Sequence, residues 1–440
     1  MDLRSPGGEI DGKTIEMTFR KTIYTLLFFL LTPSPLFAYI DPGTGSMLLY
    51  AIVGAGVALL YTLKGFFFNL LAKLRGRKRA DNLSILDADI IFHSEGKHYD
   101  HLFLPLLKEM CGAETEEGSV ITYITQYDRD ELPELPENVR HLSISSGVAG
   151  FATLNRAKAK FLVTTTPQLD VMMFRRSPHV KHYCHLNHAT ADTSFYKPYA
   201  FDHFDSVLCP GDFMVKSIRV LEKKRGLPEK KLFSTGVVYF DEMTDRVVEK
   251  KNEADKPCLL IAPSWGDNGL FSRWGVDFLN GLSDDYSVIV RPHPQIKISQ
   301  EMLYTELTEL CRRNRFTLDE APSGKKSMDK SDLMISDFSG IIFDYSFVYE
   351  KHLIIADTDL KYKGFEAFFL EKPLWDEEIR HKIGRVIKSD EAFRLKEIVR
   401  EELGKEPLPI SEVRDQTVAN FGNAVPKTAR RLRELWKEIA

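Results

Sequence analysis

The chain lacks any excess of positive charge. Its 59 Lys and Arg are set against 63 Asp and Glu, a formal net charge of −4. A duplex nucleic-acid binder carries a strong basic bias, so that class is excluded. Cysteine is sparse and odd in number: Cys111, Cys184, Cys209, Cys258 and Cys311, scattered without paired spacing. That excludes a secreted disulfide framework and fits a reducing compartment. Internal repeats and low-complexity tracts are absent too. What is present is 440 residues, 43% hydrophobic and 28% charged, enough for two or three domains with their own cores.

The N-terminal part reads separately. Met17 precedes Arg20 and Lys21 and then an apolar run from Ile23 to Ala38, the layout of a signal peptide or signal anchor. A turn-rich break at 39–45 leads into a second uncharged apolar run, Ser46 to Leu63, just long enough to span a bilayer. Lys64, Lys73, Arg75, Arg77, Lys78 and Arg79 follow it. Positive flanks mark the cytoplasmic side, so the expected order is in, out, in, with the rest of the chain facing the cytoplasm at the membrane. The competing reading is a signal peptide ahead of a secreted enzyme whose second run is a buried helix. Residues 1–82 are therefore taken as signal, anchor and basic juxtamembrane segment.

From about Leu83 short apolar runs alternate with amphipathic ones. Strands are expected at Ile90–His93, Val120–Thr125, Phe161–Thr165, Val180–His185 and Val207–Cys209, with a helix over His101–Met110. A charged stretch, 246–256, reads as a linker. The alternation restarts with strands at Cys258–Ala262, Val288–Val290, Leu333–Ser336 and Leu353–Ala356, and residues 386–440 read as helices. Alternating strands and helices imply parallel sheets. The fold class is α/β and GT-B-like: Rossmann-like domains at 83–245 and 257–385, with a cleft at the carboxyl ends of both sheets.

Four segments carry polar groups to strand ends. In Ser336-Asp337-Phe338-Ser339-Gly340 a buried strand turns into a helix starting near Ser339 or Gly340. Such a start binds phosphate through free N–H groups, or Ser339 is an ordinary helix cap. Arg291-Pro292-His293-Pro294 stiffens the backbone past a strand; it either holds a diphosphate or is a rigid loop with an incidental His. His182-Tyr183-Cys184-His185-Leu186-Asn187-His188 offers a general base or, less economically, a zinc site whose spacing matches no common one. His93-Ser94-Glu95-Gly96, continuing to His98 and Tyr99, is a tight turn toward the cleft. The triplets Asp128/Asp130 and Asp357/Asp359 are the other metal candidates, of a kind common by chance.

Together these segments resemble the CDP-glycerol glycerophosphotransferases, the polymerases and primases of teichoic acid, from about Phe161 to Phe369. Asn187-His188-Ala189-Thr190 is similar to that family's His-Gly-Thr-like motif, with Ala in place of Gly. Ala262-Pro263-Ser264-Trp265 resembles Ala-Pro-Thr-Trp, Arg291 to Pro294 resembles Arg-x-His-Pro, and Ser336 to Tyr345 resembles a Thr-Asp-Tyr-Ser-Ser…Phe-Asp-Phe block with Gly340 for the second Ser. Thr235 to Asp241 stands where the family has Gly-x-Pro-Arg-x-Asp, without the Pro and Arg.

The resemblance implies attack of an acceptor hydroxyl on the β-phosphate of CDP-glycerol, with CMP leaving. His188 and His293 would be the catalytic pair. Arg291, Ser336, Asp337, Ser339, Gly340 and Asp344 would bind the donor, Asp344 reaching its ribose or the helix turn. It implies no metal and no cofactor beyond the substrate, and a lipid-linked or polymeric acceptor at the membrane. The alternative is a glycosyltransferase of the same architecture using a nucleotide sugar; a non-catalytic membrane scaffold would need neither His188 nor the phosphate-binding loop.

Overall fold

The computed structural model describes residues 87–112, 120–127, 134–245, 256–321 and 323–439. The two N-terminal apolar runs, their basic flank, the Asp128/Asp130 triplet and residues 246–255 of the expected linker lie outside the described residues. Among the described residues no helix is long and apolar enough to cross a membrane. Compactness separates a unit Met1–Leu71 from a unit Ala72–Ala440, and all that follows concerns the second.

Two all-parallel sheets form it. The first has the order β3-β2-β1-β4-β5-β6-β7. Its strands are β1 (Asp87–Ser94), β2 (Ile121–Thr125), β3 (Val139–Ser143), β4 (Lys158–Thr164), β5 (Val180–Leu186), β6 (Ser206–Cys209) and β7 (Lys231–Ser234). The second has the order β10-β9-β8-β11-β12-β13. It is built from β8 (Cys258–Ile261), β9 (Ser287–Val290), β10 (Thr317–Leu318), β11 (Leu333–Ser336), β12 (His352–Ala356) and β13 (Arg385–Ile387). The central strands β8 and β11 are buried throughout, as expected where helices cover both faces. Each sheet reverses its winding beside its first strand, between β1 and β4 and between β8 and β11. Crevices at such switch points are where open α/β sheets bind ligands.

Two features depart from the sequence reading. The expected boundary at 385 cuts through β13, which pairs with β12 through Ile354–Arg385 and Ala356–Ile387. The C-terminal helices also divide their allegiance. Leu395, Ile398 and Val399 of the Leu395–Leu403 helix join the core of the second sheet. Ala429, Leu432, Leu435 and Trp436 of the Ala424–Ile439 helix instead pack with Phe92, Phe103 and Tyr123 of the first.

Candidate active site

His188 lies two residues past the end of β5, at the carboxyl edge of the first sheet. Its ring is half-buried, 5.4 Å from the ring of Tyr99 and 6.3 Å from that of Tyr196. Burial, then the neighbouring His98 and His101, push its pKa down to about 4. The imidazole is therefore neutral near pH 7, the form in which it accepts a proton. Its Nδ1 is buried and has no hydrogen-bond partner.

The other histidines of that strand hold different posts. His185 is wholly buried among Phe201, at 4.8 Å, and Phe204, at 5.2 Å, and burial drives its pKa down to about 3. His182 exchanges a 2.8 Å hydrogen bond with Ser206 Oγ. Side chains alternate across a strand, so His182 and His185 point to opposite faces of the sheet and cannot share a metal ion. Among the described residues no group of three or more His, Cys, Asp or Glu could hold one. His93 closes the switch point of this sheet: buried, it bonds Thr164 Oγ1 at 2.9 Å and Gln126 Nε2 at 3.1 Å, tying β1 to β4 and β2. His98 is exposed on the Lys97–Tyr99 turn, its ring 4.1 Å from that of Tyr99.

On the second sheet, Asp337 is the organising group. It is completely buried and accepts from Ser264 N and Oγ, Leu270 N and Ser339 N, at 2.9 to 3.3 Å. Burial raises its pKa. Ser336, equally buried, donates to Ala262 O at 2.7 Å. Both residues were expected to bind the donor directly. They sit beneath the surface instead and lock the loop after β8 to the loop after β11.

What that frame presents is Ser339 and Gly340, both half-buried, ahead of the Ile341–Tyr349 helix. Gly340 stands at the helix cap position with helical backbone angles, and no side-chain hydrogen bond caps the helix. A Cβ built on Gly340 would meet nothing within 4 Å, which leaves open space over the helix start. Ile342 N and Phe343 N already donate to Ser339 O and Gly340 O, each at 3.1 Å, and the positive end of the helix dipole ahead of them favours anions.

His293 caps the Pro294–Ser299 helix, its Nδ1 accepting from Gln295 N at 3.1 Å. The neutral ring thus carries its proton on Nε2, leaving that edge a donor. Its ring centroid is 6.0 Å from that of the exposed Trp265. Desolvation lowers its pKa. Arg291 was expected to clamp phosphate; its Nη1 bonds Asp319 Oδ2 at 2.8 Å, and Asp319 also accepts from Ser327 Oγ. Asp344 was expected to reach the ribose or the helix turn. It accepts instead from Tyr239 OH at 2.5 Å, and burial pushes its pKa up to about 6.

That last bond joins the two walls. Tyr239 belongs to the Val238–Asp245 helix that follows the first sheet, and its ring is 5.2 Å from that of His101. A second contact lies between Phe195, in the loop after His188, and Phe338, the residue before Ser339; the rings stack 5.2 Å apart at 29°. The His188 loop and the Ser339 loop therefore face each other across the cleft. Phe195 was not singled out in the sequence, and Tyr99, Tyr239 and Phe338 stood there only inside motifs with no role of their own, because ring contacts between distant segments leave no local spacing signal. Asp357 and Asp359 are held as a turn, Asp359 N donating to Asp357 Oδ1 at 3.2 Å.

This geometry can be set beside known proteins. The profile of the family described as CDP-Glycerol:Poly(glycerophosphate) glycerophosphotransferase matches residues 79–372. Among solved structures, the wall teichoic acid polymerase TagF superposes with a TM-score of 0.52 at 15% identity, over 86% of this chain and 98% of that one. A TagF variant soaked with CDPG gives a TM-score of 0.50 at 15% identity, over 84% of this chain and 97% of that one. Likeness at that identity speaks to the fold alone. A search of curated proteins found no match.

Two parallel sheets in the GT-B-like manner, with a neutral histidine at the edge of one and an open helix start at the edge of the other, suit a transferase that uses an activated donor. The chain belongs to the CDP-glycerol:poly(glycerophosphate) glycerophosphotransferase family and is a transferase of that type.

Proposed function

We propose that the chain transfers glycerol phosphate from CDP-glycerol to a hydroxyl of a lipid-linked or polymeric acceptor, in synthesis of a teichoic-acid-like envelope polymer. The carrying observation is the placement of neutral His188 opposite the Ser339–Gly340 helix start, across walls joined by Tyr239 and Asp344. The acceptor oxygen attacks the β-phosphorus. A new phosphorus–oxygen bond forms as the bond to CMP breaks, and the acceptor proton passes to His188. The diphosphate lies over Ser339, Gly340 and the first N–H groups of the helix, with His293 Nε2 donating to it, so developing charge on the leaving group meets donors already in place. Ser336 and Asp337 act from below by holding that loop. Arg291, tied to Asp319 through Nη1, adds the charge of its guanidinium beside the phosphates.

The membrane setting is part of the proposal and rests on the two apolar runs and the basic flank at 64–79. The catalytic unit faces the cytoplasm, where nucleotide donors are made.

The test is CMP release by the full chain in vesicles holding a glycerol-phosphate-primed lipid. CDP-glycerol should support release coupled to acceptor growth, and a panel of nucleotide sugars should not. Turnover of a nucleotide sugar with none of CDP-glycerol would overturn the reading in favour of a glycosyltransferase.

A further inference from the structure

The segment 361–372, Lys-Tyr-Lys-Gly-Phe-Glu-Ala-Phe-Phe-Leu-Glu-Lys, has no part in the chemistry above. It is unusually aromatic, and its base is held rigidly. Phe369 and Tyr199 both take the Arg225 guanidinium on their faces, at 5.1 and 4.8 Å. The same guanidinium pairs with Asp202 at 2.6 Å and with the fully buried Glu366. Lys197 lies 4.4 Å over Phe365. From this platform Phe368, edge-on to Phe369 at 5.4 Å, stands 67% exposed, and Tyr199 47% exposed.

The backbone beneath them is strained. Tyr199 sits at φ 66°, in the left-handed region that a bulky residue seldom adopts. The loop after β4 pins both its neighbours: Gln168 bonds Ala200 O at 2.8 Å through its N–H and Pro198 O at 3.1 Å through Nε2. That loop has left-handed residues of its own, Gln168 at φ 61° and Asp170 at φ 58°, and it exposes Met172 by 59%. Strain of this kind persists where a surface is put to use.

The charge around the platform runs against the rest of the chain. Within segments 197–200, 223–225 and 361–372 the exposed charges are Lys197, Lys223, Lys224, Lys361, Lys363 and Lys372 against Glu371, with the exposed acids Asp359 and Glu378 bordering the last segment, in a protein of net charge −4. Lys372 pairs with Glu377 at 2.9 Å; Lys224 donates to Phe369 O at 2.9 Å. Apolar tips ringed by lysines are the composition of an interfacial seat: rings enter the headgroup boundary while ammonium groups stay on anionic headgroups. The patch borders the cleft, since Phe195 packs on Tyr362 at 6.2 Å and Phe365 at 6.3 Å as well as on Phe338.

We propose that Phe368 and Tyr199, with the surrounding lysines, seat the catalytic unit on an anionic bilayer surface beside the cleft mouth. An acceptor carried in that bilayer then enters the cleft past Phe195. Only the nature of the acceptor rests on the proposed function; the contact with lipid does not.

The test reads that contact without turnover. The full chain carrying Phe368→Trp is reconstituted in phosphatidylglycerol vesicles with brominated acyl chains, which quench indole at the headgroup boundary. Phe393→Trp, at a position 85% exposed on another segment, is the control. The Phe368→Trp protein should lose about twofold more emission than its parent, and the control no more than its parent. Adding Lys361→Glu and Lys363→Glu should abolish the extra loss. No extra quenching at 368, as a protein partner or the anionic polymer on this surface would produce, overturns the proposal. Equal quenching at 393, or quenching indifferent to the two lysine changes, overturns it as well.

Discussion

The Tyr239 hydroxyl donates to the Asp344 carboxylate at 2.5 Å, one residue on the helix leaving the first sheet and the other on the helix whose start faces the cleft. Burial pushes Asp344 up to about 6, above the ordinary 3.8, and the Tyr239 bond holds it lower than burial alone would. Because the folded-state pKa is the raised one, the contribution favours the fold at low pH and is lost as pH climbs through about 6. The scale is on the order of 2–3 kcal/mol. Melting of the parent should therefore weaken between about pH 4 and pH 7 more than that of Asp344→Asn. Tyr239→Phe, which strands the carboxylate, should cost about 1–3 kcal/mol near neutral pH. A pH dependence identical in parent and Asp344→Asn would refute the assignment.

His188→Ala should abolish CMP release while leaving the melting temperature close to that of the parent. General base catalysis is worth roughly 10²–10⁴-fold. His185→Ala should instead lower the melting temperature, because it empties space among Phe201, Phe204 and Tyr196. Burial holds His188 down to about 4, so the acidic limb of kcat/KM that reports it should lie near that value and not near 6.5. Turnover retained without His188 and lost without His185 would reverse the two roles.

The helix start offers a paired test. Ser339→Ala deletes one hydroxyl and should weaken CDP-glycerol binding by about 1–2 kcal/mol in calorimetry. Gly340→Ala meets no protein atom within 4 Å, and Gly340 has an ordinary φ of −57°, so it should fold normally. Its methyl would fill the space assigned to phosphate, and donor affinity should fall at unchanged melting temperature. Unchanged affinity in both variants would remove the donor from this helix.

Asp337→Ala should damage stability and donor binding together, since Ser264, Leu270 and Ser339 lose a common acceptor in the interior. Unpaired buried donors cost about 1–3 kcal/mol each. Loss of donor affinity at unchanged stability would mean that the carboxylate touches the donor after all.

A reporter active only outside the membrane, fused after Ala440, should be silent in cells, because the Lys73 to Arg79 cluster follows the second apolar run. Strong external activity would place the catalytic unit on the other side.

Much of the fold was legible because parallel strands buried on both faces read as short apolar runs: β1, β4, β5, β8, β11 and β12 all show this. The strands that escaped notice were β3, β7, β10 and β13, short and only partly buried, whose sequences resemble loops. Within the site, His188, His293, Ser339 and Gly340 stand at strand ends or helix starts, where local spacing marks them. Ser336 and Asp337 share that spacing yet point inward, a distinction set by the loop from β8 more than 60 residues earlier in the chain. The Tyr239 partner of Asp344 was illegible for the same reason: it is 105 positions away. Arg291 is claimed by Asp319, which the Arg-x-His-Pro pattern does not contain.

The return of the Ala424–Ile439 helix to the first sheet has a temporal side. The strands that need Leu432, Leu435 and Trp436 to cover them leave the ribosome early, while those side chains leave last. Until translation ends, Phe92, Phe103 and Tyr123 lack part of their covering, and the nascent first domain presents that opening to chaperones or to its own aggregation. A chain cut short before residue 424 would carry every site residue and still lack the final piece of its first core.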